Sequence, residues 1–587
     1  MELSKEQCSA VYFDGNAYVT ACPGSGKTRA LTARLALGMG QLKSKSEKVL
    51  AVTYTNRAAS EIKSRIEEFD VFDSKKIWAG TIHSFALEWI IRPYAGYLST
   101  LNNGFDVADE YETRIIIASL KEEKGVGFFD GINTSFDRNG NVANKSKQHR
   151  EVECEYRKHL KAIKKIDFDQ ALYFAYQILE LKPEIAETLG TIFRLICIDE
   201  VQDTQDLQYA ILSKIFKQSK IKPNLFIVGD VNQAIFEGIG GLPKDILELN
   251  FEFEGSNLIP FNFSDNYRST QRVVDYFSSF RGTNGIVAKA DYSHLAGSIQ
   301  FSNQTIHKDN LATEIAGIIK SELKSGVPEN EICIVAPQWA PIRALTRKLV
   351  TLLPEVHFDA PSLSPFSGQH DNFWLIVTNI VLTSPSGRLY STRVRWANEI
   401  ITRLSISFHQ IGDFTAKQLL KMLNSFSTKT ITGTDYLFEC FDYLMAELDV
   451  DLKLDVGLHE SHSLFFEKAK KNLELNEDQY KNEVEVFKRF FKESTGVVIN
   501  TCHGVKGEEY ETVIAFGMLK GFIPHWDVII KQTRQEATKS ESKLLYVIAS
   551  RAKKNLYFIA ENGRQTKSRN PYETSDMLIR YKYQYDK

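Results

Sequence analysis

The sequence predicts an α/β protein with two parallel β-sheets, each flanked by helices and each interrupted by a mainly helical insertion. Short apolar runs alternate with helix-favouring segments over the first 275 residues, and a second series of such runs begins near residue 296. Charged stretches with apolar residues at helical spacing interrupt both series. The chain has 587 residues, which is enough for about four domains at roughly 150 residues each.

The first sheet is predicted from a strand, a turn and a helix at the start of the chain. Residues 17–21 (AYVTA) form the strand, and a Gly/Ser/Pro turn leads into a helix that carries Leu31 and Leu35. Apolar runs separated by helical segments are typical of parallel sheets covered on both faces, so we assign residues 1–90 and 190–275 to a first domain. The other runs lie at 49–55 (VLAVTYT), 195–199 (LICID) and 225–230 (LFIVGD).

A first helical insertion is predicted for residues 91–189, where the sequence becomes charged and helix-favouring. Its polar tract at 130–150 has few apolar residues to bury, so we expect a mobile loop there. The basic run RKHLKAIKK at 157–165 is typical of a solvated helix face, and contact with duplex phosphates is the alternative.

A second sheet is predicted in the remaining sequence, with a second insertion inside it. Leu, Phe, Lys and Glu recur at helical spacing over residues 386–494, which predicts a second helical insertion. The second domain then consists of residues 276–385 and 495–587. Its strands are predicted at 297–302 (GSIQFS), 331–337 (EICIVAP), 497–500 (VVIN), 512–516 (TVIAF) and 555–560 (NLYFIA).

Composition excludes several classes of protein. The chain has 72 Lys and Arg against 74 Asp and Glu, so a polyanion would have to be bound by local basic patches. Seven cysteines occur singly without a CxxC pair, which argues against zinc ribbons and four-cysteine iron–sulfur clusters and favours reduced thiols. We find no signal peptide and no apolar stretch that could span a membrane, so we expect a soluble, cytoplasmic protein with no membrane contact.

The segment ACPGSGKT (21–28) follows a strand and begins a helix, which is the context that a phosphate-binding loop requires. Gly24 and Gly26 allow backbone N–H groups to face a β-phosphate, and the helix N-terminus adds its positive dipole end. We expect Lys27 to reach the β- and γ-phosphates and the Thr28 hydroxyl to bind Mg²⁺. The full pattern begins with Gly where this chain has Ala21. The predicted nucleotide contacts in this loop are Ala21, Cys22, Pro23, Gly24, Ser25, Gly26, Lys27, Thr28 and Arg29.

Two adjacent carboxylates complement the loop. Asp199 and Glu200 follow the apolar run LICI, at the carboxyl end of a predicted strand, where ligands bind in open α/β sheets. Nucleotide hydrolysis needs one carboxylate near Mg²⁺ and one to polarise the attacking water. We therefore predict that Asp199 is a metal ligand and that Glu200 is the catalytic base.

Eight further segments, in order along the chain, together with the phosphate loop resemble the motifs of the UvrD/Rep/PcrA branch of superfamily 1 helicases. The resemblance implies two RecA-like domains with ATP bound between them. The segments are LSKEQ (3–7), AVTYTNRAASEI (51–62), GTIHSFA (80–86), IDEVQDTQDLQ (198–208), IVGDVNQAIF (227–236), DNYRST (265–270), NTCHGVKGEEYE (500–511) and LLYVIASRAKKNLY (544–557).

The resemblance also implies roles for individual residues. Gln7 would read adenine, Tyr267 would stack on it, and Glu509 would contact the ribose. Gln233 looks like the sensor of the γ-phosphate. The two residues that resemble the arginines reaching across from the second RecA-like domain to stabilise transition-state charge are Arg268 and Arg551.

Nucleic-acid contacts require hydroxyl, amide and basic groups for phosphates and aromatic faces for bases. The resemblance places such residues at strand ends on the same edge of the sheet as the phosphate loop. An isolated Tyr or Phe is more often part of a core, and only the motif framework favours base contact. The predicted contacts are Tyr54, Thr55, Asn56, Thr81, His83, Ser84, Phe236, His503 and Lys506.

The chain departs from the family pattern after Phe236. Relatives continue with an aromatic-Arg-Trp-Arg-Gly string, whereas this chain has Gly238 in the position of the base-stacking Trp. The loss of one stacking platform weakens the grip on a single strand by roughly 1–3 kcal/mol per base. Only 36 residues follow Arg551, so we expect no appended nuclease domain.

Two functions remain open. The first is an ATP-dependent DNA helicase or translocase moving 3′ to 5′ on single-stranded DNA, or on DNA with a single-stranded overhang. The second is a DNA-sensing ATPase that regulates a partner nuclease, as in compact UvrD-like subunits of antiviral defence systems such as Gabija. A P-loop kinase would leave the segments at 51–62, 80–86 and 500–511 unexplained, and RNA stays open as the nucleic acid.

Overall fold

The structure is a computed structural model of the whole chain. The residues that it describes are 2–67, 74–108, 110–127, 130–144, 146–236, 240–282, 285–360, 364–366, 372–385, 389–474, 481–491, 496–566 and 568–586. Among these residues, none of the helices combines the length and the apolar character that crossing a lipid bilayer requires.

The first sheet has six parallel strands in the order β3-β2-β4-β5-β1-β6. Successive residues of each inner strand face opposite layers: Leu50 and Val52 join one core cluster, and Val49 and Ala51 join the other. This double burial produces the continuous apolar runs of the sequence. The strands are β1 (Ala17–Ala21), β2 (Lys48–Thr53), β3 (Ile77–Thr81), β4 (Phe193–Ile198), β5 (Asn224–Gly229) and β6 (Ile259–Phe263).

Two strands of this sheet, β3 and β6, lie at its edges and were not predicted. Each has a neighbour on one side only, and Ile259 in β6 is 44% exposed. Their sequences therefore lack the long apolar run of a central strand. Helices Lys5–Val11, Lys27–Gly40, Asn56–Glu67, Asp206–Gln218 and Ile246–Glu252 accompany the sheet.

The first helical group shares its core with the first sheet. Ala175 and Ile178 of the helix Phe168–Leu181 belong to the same apolar cluster as Leu50 of β2. This group therefore extends one side of the sheet's core. Its helices are Ile82–Phe85, the π-helix Ala86–Ile91, Arg92–Tyr94, Glu110–Glu123, Lys147–Ala162, Phe168–Leu181 and Pro183–Ile192.

The polar tract at 130–150 is anchored in its described part, so the expectation of a mobile loop was wrong there. Arg138 forms ion pairs with Asp206 at 2.6 Å and with Glu252 at 2.8 Å. The Phe136 ring stacks on Tyr173 with ring centres 4.7 Å apart. These partners are distant in the sequence, and composition alone does not reveal them. The helix Lys147–Ala162 also begins inside the tract.

The second sheet also has six parallel strands, in the order β7-β12-β11-β8-β10-β9. Each of the five predicted runs overlaps one of its strands, and only the two-residue strand β9 was not predicted. The strands are β7 (Ser298–His307), β8 (Ile332–Ala336), β9 (Phe358–Asp359), β10 (Val497–Thr501), β11 (Tyr510–Phe516) and β12 (Ala552–Asn562). The accompanying helices are Gln271–Arg281, Leu311–Lys324, Trp339–Leu352, Trp526–Lys531, Arg534–Ala549 and Asp576–Arg580.

The second helical group has its own core, built around the fully buried Trp374 and Phe441. The helix Phe373–Leu382 contributes to this core although it precedes residue 386, where the sequence predicted the insertion to begin. Its continuous apolar sequence resembles a sheet strand more than an amphipathic helix. The other helices are Tyr390–Ser407, Ala416–Ser425, Gly433–Glu447, Val456–Glu474 and Val484–Arg489.

Short elements complete the described chain. Strand pairs Asp106–Val107 with Lys165–Ile166 and Asp265–Asn266 with Val287–Ala288 stand apart from the two main sheets. The 3₁₀ helices are Ser74–Lys76, Ala95–Tyr97, Val201–Asp203, Val231–Gln233, Glu329–Glu331, His409–Asp413 and Leu452–Leu454.

Candidate functional site

A cleft of about 990 Å³ lies where residues of both sheets face each other. It is lined by basic, acidic and amide side chains from both halves of the chain, so a charged ligand would be held by both sheets. Most of the nucleotide-binding residues predicted from the sequence line it. The predicted site residues in its lining are Gln7, Pro23, Gly24, Ser25, Gly26, Lys27, Thr28, Arg29, Thr55, Glu200, Gln233, Tyr267, Arg268, Lys506, Glu509 and Arg551.

The phosphate loop connects β1 to the helix Lys27–Gly40, and its glycines have no room for a side chain. Gly24 and Gly26 have left-handed backbones with φ of 68° and 76°. A Cβ on Gly24 would lie 2.5 Å from Cβ of Arg268, and one on Gly26 would lie 2.6 Å from Nε2 of Gln7. Both geometry and space therefore require glycine at these two positions.

Ala21 and Cys22 lie at the end of β1, behind the part of the loop that lines the cleft. Ala21 is the last residue of the strand and is buried. Burial, together with Asp230, raises the pKa of the Cys22 thiol to about 12. The Cys22 thiol is therefore protonated and unreactive, and the Cys22 carbonyl accepts the backbone N–H of Ser25 at 3.3 Å.

The hydroxyl of Ser25 indicates that the loop is built for a ligand. Its Oγ atom is buried and has no hydrogen-bond partner among the described residues. An unpaired buried hydroxyl is costly, and a phosphate oxygen is an acceptor that would satisfy it. With Lys27 nearby and glycine N–H groups around it, the loop fits a triphosphate.

Replacing Ser25 with alanine tests this interpretation. Because Oγ has no protein partner, we expect the melting temperature of the free protein to stay the same or rise. We expect the KM for ATP to rise about tenfold, the size of a hydrogen bond to a charged group. Thermal unfolding and steady-state kinetics measure the two effects.

Ser213→Ala is the matched control, because that hydroxyl is equally buried but donates to Glu252 at 2.9 Å. It should lower the melting temperature and leave the KM unchanged. A Ser25→Ala protein that melts lower and binds ATP normally would contradict a phosphate-facing role.

The two predicted carboxylates lie directly after β4. Glu200 has a left-handed backbone with φ of 51°, which is uncommon for a non-glycine residue and is tolerated mainly at functional sites. This turn brings Oε1 of Glu200 to 3.6 Å from Nζ of Lys27. The phosphate loop and the predicted base are thus in direct contact.

The environment in the cleft shifts the pKa values of Glu200 and Asp199 in opposite directions. Burial opposes ionisation of Glu200, but Lys27 and Lys506 outweigh it and lower the Glu200 pKa. Burial and the charge of Glu200 raise the pKa of Asp199. Burial likewise opposes the charged form of Lys27, but Glu200, Asp230 and Asp199 outweigh it and raise the Lys27 pKa. Glu200 is therefore the acid that stays ionised, as a general base must.

The donors near the loop suit a magnesium ion. Thr28 offers a hydroxyl and Asp199 a carboxylate, and oxygen is the ligand that Mg²⁺ prefers. No group of three or more His, Cys, Asp or Glu side chains in the described ranges could hold a metal alone. An ion here would complete its shell with water and substrate phosphates, as Mg²⁺ does in nucleotide sites.

Gln202 and Asp230 support the carboxylates, and the sequence reasoning assigned them no role. Gln202 donates from Nε2 to Glu200, and its Oε1 accepts the backbone N–H of Asp230 at 3.0 Å. Asp230 in turn accepts from Nε2 of Gln233 at 2.8 Å. The available signal was their position inside the segments at 198–208 and 227–236.

Two guanidinium groups, those of Arg268 and Arg551, also line the cleft. Arg551 is 1% exposed and donates to Oε1 of Gln233 at 2.9 Å, which links the predicted sensor to the second sheet. Arg268 donates to Glu509 at 2.8 Å. Burial and the positive charge of Arg268 lower the pKa of Arg551. An anion in the cleft would relieve this repulsion.

The predicted adenine end is defined by Gln7 and Tyr267. Gln7 donates from Nε2 to the Ser25 carbonyl at 2.8 Å, and its Oε1 accepts the N–H of Ser4 at 3.0 Å. One N–H and one lone pair of the amide remain for a base. Tyr267 is 39% exposed beside it and donates its backbone N–H to the Gly24 carbonyl at 2.8 Å.

Asn266 joins the phosphate loop to the segment that carries Tyr267 and Arg268, and the sequence reasoning missed it. It is fully buried and donates from Nδ2 to the Pro23 carbonyl at 2.7 Å. Its Oδ1 accepts the N–H groups of Arg268 at 2.9 Å and Ser269 at 2.7 Å. Its place within DNYRST was the available signal.

Three predicted base-contacting residues form one aromatic cluster. Tyr54, which follows β2, stacks on Phe236 with ring centres 4.7 Å apart. His503, from the second sheet's half of the chain, approaches Phe236 at 5.7 Å. Burial and Asp203 raise the pKa of Tyr54 to about 12, so its ring is neutral. The cluster is thus assembled from both sheets.

The other predicted contacts lie at the ends of β2 and β3. Thr81 accepts the backbone N–H of Ser84 at 3.3 Å and so caps the short helix after β3. Burial lowers the pKa of His83 to about 4, which keeps its imidazole neutral. Thr55 and Asn56 lie exposed where the helix Asn56–Glu67 begins. A second cavity of about 210 Å³ is lined by Tyr54, Thr81, His83, Asp199 and Glu200, so these contacts adjoin the carboxylates.

Lys506, a predicted DNA contact, forms an ion pair inside the cleft, and its contact with DNA stays a prediction. Its side chain is 8% exposed, and its ammonium pairs with Asp203 and donates to the Gln233 carbonyl at 2.8 Å. The basic charge that the sequence offered is thus already neutralised inside the cleft. Gly238, where the stacking Trp is missing, lies outside the described residues.

Three of the five Lys and Arg side chains in the basic run at 157–165 form ion pairs within their own helical group. Arg157 pairs with Asp167 at 2.6 Å, Lys158 with Glu155 at 2.8 Å, and Lys165 with Glu112 at 2.6 Å. The charge of the run is thus partly neutralised, and Lys165 lies beyond the helix in the strand Lys165–Ile166. Contact with duplex phosphates stays the alternative.

Comparisons with known proteins agree with this architecture. Residues 3–254 match the UvrD/REP helicase N-terminal domain, and residues 469–563 match the UvrD-like helicase C-terminal domain. The protein YjcD of Bacillus subtilis is 24% identical over 97% of this chain and 80% of its own length. A probable DNA helicase II homologue of Mycoplasma capricolum is 22% identical over 96% of this chain and 84% of its own length. The ATP-dependent DNA helicase PcrA of Leuconostoc citreum is 30% identical over 46% of this chain and 38% of its own length.

The two family models together match more than half of the chain, and each covers residues of one of the two sheets. The sheets are those of two RecA-like domains, as the sequence predicted. The chain belongs to the UvrD/Rep family of helicases.

Proposed function

We propose that the protein is an ATP-dependent DNA helicase or translocase that couples hydrolysis of Mg-ATP to 3′-to-5′ movement on single-stranded DNA in the cytoplasm. One observation carries the proposal. Lys27 and Glu200 from the first sheet face the same cleft as Arg551 from the second sheet and Arg268 from the segment that joins the two. Hydrolysis at such a site depends on how closely the two sheets approach, and that dependence is what converts chemistry into movement.

The side chains divide the chemistry of phosphoryl transfer. Glu200 is ionised and positioned to take a proton from the attacking water. Lys27 and the two guanidinium groups bind the phosphates and stabilise the charge that develops on them. Thr28 and Asp199 would hold Mg²⁺, which would supply positive charge to offset that of the phosphates. Gln233 accepts a hydrogen bond from Arg551, so its side chain responds to the position of the opposite side of the cleft.

The aromatic cluster would connect movement of the two sheets to bound DNA. Because Tyr54 and Phe236 come from one sheet and His503 from the other, a change in the separation of the sheets changes the stacking surface. Stacked bases are worth about 1–3 kcal/mol each, so alternate gripping and release by such a surface can drive a strand past it.

The first test is ATP hydrolysis with and without single-stranded DNA. We expect strong stimulation by DNA, and loss of nearly all hydrolysis in Lys27→Ala because the phosphates lose their ammonium. Lys220→Ala is the matched control, since that lysine is 80% exposed, pairs with Glu187 and does not line the cleft. Absence of stimulation in the wild-type protein would refute the proposed function.

Unwinding of duplexes with a 3′ or a 5′ overhang then tests direction. Unwinding from the 3′ overhang alone supports the autonomous helicase. The loss of the stacking Trp at Gly238 favours the alternative, a DNA-sensing ATPase that serves a partner nuclease. Stimulated hydrolysis without unwinding of either substrate would support that alternative.

A further inference from the structure

Lys506 and Asp203 form a buried ion pair across the cleft. Lys506 lies in the loop after β10 of the second sheet, and Asp203 ends the 3₁₀ helix after β4 of the first. Their side chains are 8% and 1% exposed. In this arrangement of the two sheets, both charges are hidden from water.

The pair is costly to separate inside the protein. Oδ1 of Asp203 is buried without a hydrogen-bond partner in the described chain, so Lys506 is the main compensation for this carboxylate. Burial raises the pKa of Asp203 to about 7 although Lys506 opposes the shift. Removing one partner leaves an uncompensated group, whereas removing both charges at similar volume does not.

Lys506 also contacts both functional regions. Its ammonium donates to the backbone carbonyl of Gln233, whose side chain receives the bond from Arg551. The same ammonium lies 5.0 Å from the centre of the Phe236 ring, within cation–π range. Phe236 is the centre of the aromatic cluster with Tyr54 and His503.

We propose that Lys506 is a positioning residue that, through Asp203 and Gln233, aligns the base-stacking cluster with the nucleotide site when the two sheets close. Separation of the sheets breaks the ion pair and releases Phe236. The inference rests on the proposed function, because it concerns how DNA stimulates hydrolysis.

The decisive variant is the double substitution Lys506→Met with Asp203→Asn, which removes both charges and keeps the side-chain volumes. We expect it to fold with a melting temperature near that of the wild type. We expect the ratio of DNA-stimulated to basal ATPase to fall roughly tenfold. A double variant with the wild-type ratio would overturn the inference.

The single variants complete the cycle. Lys506→Met and Asp203→Asn should each lower the stimulation ratio about as much as the double variant, because they break the same contact. Lys554→Met is the matched control, since Lys554 pairs with Glu511 at 3.0 Å within the second sheet. It should keep the wild-type ratio.

A direct DNA contact by Lys506 would give a different pattern. Binding of a fluorescent oligonucleotide without nucleotide would then weaken in Lys506→Met, and its salt dependence would fall by about one ion. Asp203→Asn would leave the stimulation ratio unchanged. That pattern would overturn the positioning role and leave the proposed function intact, whereas an unstimulated wild-type ATPase would remove both.

Discussion

Glu200→Gln is expected to lower the kcat for ATP hydrolysis by about 10²- to 10⁴-fold, the usual contribution of a general base. Glutamine has the shape of glutamate and can orient a water, but it cannot take the proton. The left-handed turn at Glu200 and the contact with Gln202 fix the position of this side chain. Steady-state kinetics measure kcat, and a fluorescent ATP analogue measures binding, which should be retained.

The control is Glu184→Gln, an exposed carboxylate at the start of the helix Pro183–Ile192. It should hydrolyse ATP at the wild-type rate. A Glu200→Gln protein that keeps more than about a tenth of the wild-type kcat would show that another group accepts the proton. Asp230, which lies in the same charge cluster, would then be the next residue to examine.

Arg551→Lys is expected to lower kcat by about 10³-fold or more, because a guanidinium that stabilises the transferring phosphate is worth about 10³–10⁵. Lysine keeps the positive charge but loses the planar set of donors, which bonds Oε1 of Gln233 and the Glu508 carbonyl and would also bond the phosphate. The KM for ATP should change far less, since the effect belongs to the transition state. Kinetics over a range of ATP concentrations separate kcat from KM.

The exposed Arg343, on the helix Trp339–Leu352, provides the corresponding control as Arg343→Lys. Its activity should be unchanged. If Arg551→Lys raised KM strongly and left kcat intact, Arg551 would serve in ground-state binding, and Arg268 would be the remaining arginine for the transition state.

The sequence was most informative where function and local geometry coincide. The strand at 17–21 was predicted to the residue, because it is buried on both faces and is ended by the phosphate loop. Gly24, Gly26, Lys27 and Glu200 were recognisable because each meets a strict local requirement. Family resemblance then placed Arg551 opposite them, which no local pattern could do.

The failures share a physical cause, which is that the deciding partner is distant in the sequence. The ion pair of Lys506 with Asp203 was not predicted, because the two residues lie about three hundred positions apart and no local pattern links them. Arg138 likewise anchors the polar tract at 130–150 through Asp206 and Glu252, which are distant in the sequence. The helix Phe373–Leu382 was overlooked because burial on all sides removes the amphipathic period.

The hydrogen bonds of Asn266 make the connection between the phosphate loop and the second sheet very short. The Pro23 carbonyl bonds to Asn266, Asn266 bonds to Ser269, and the Ser269 hydroxyl bonds to the Ala552 carbonyl at the start of β12, each at 2.7 Å. A shift of the phosphate loop would therefore move the start of β12 directly, through one asparagine and one serine. The phosphate loop and the second sheet are thus connected without a long chain of contacts through the protein interior.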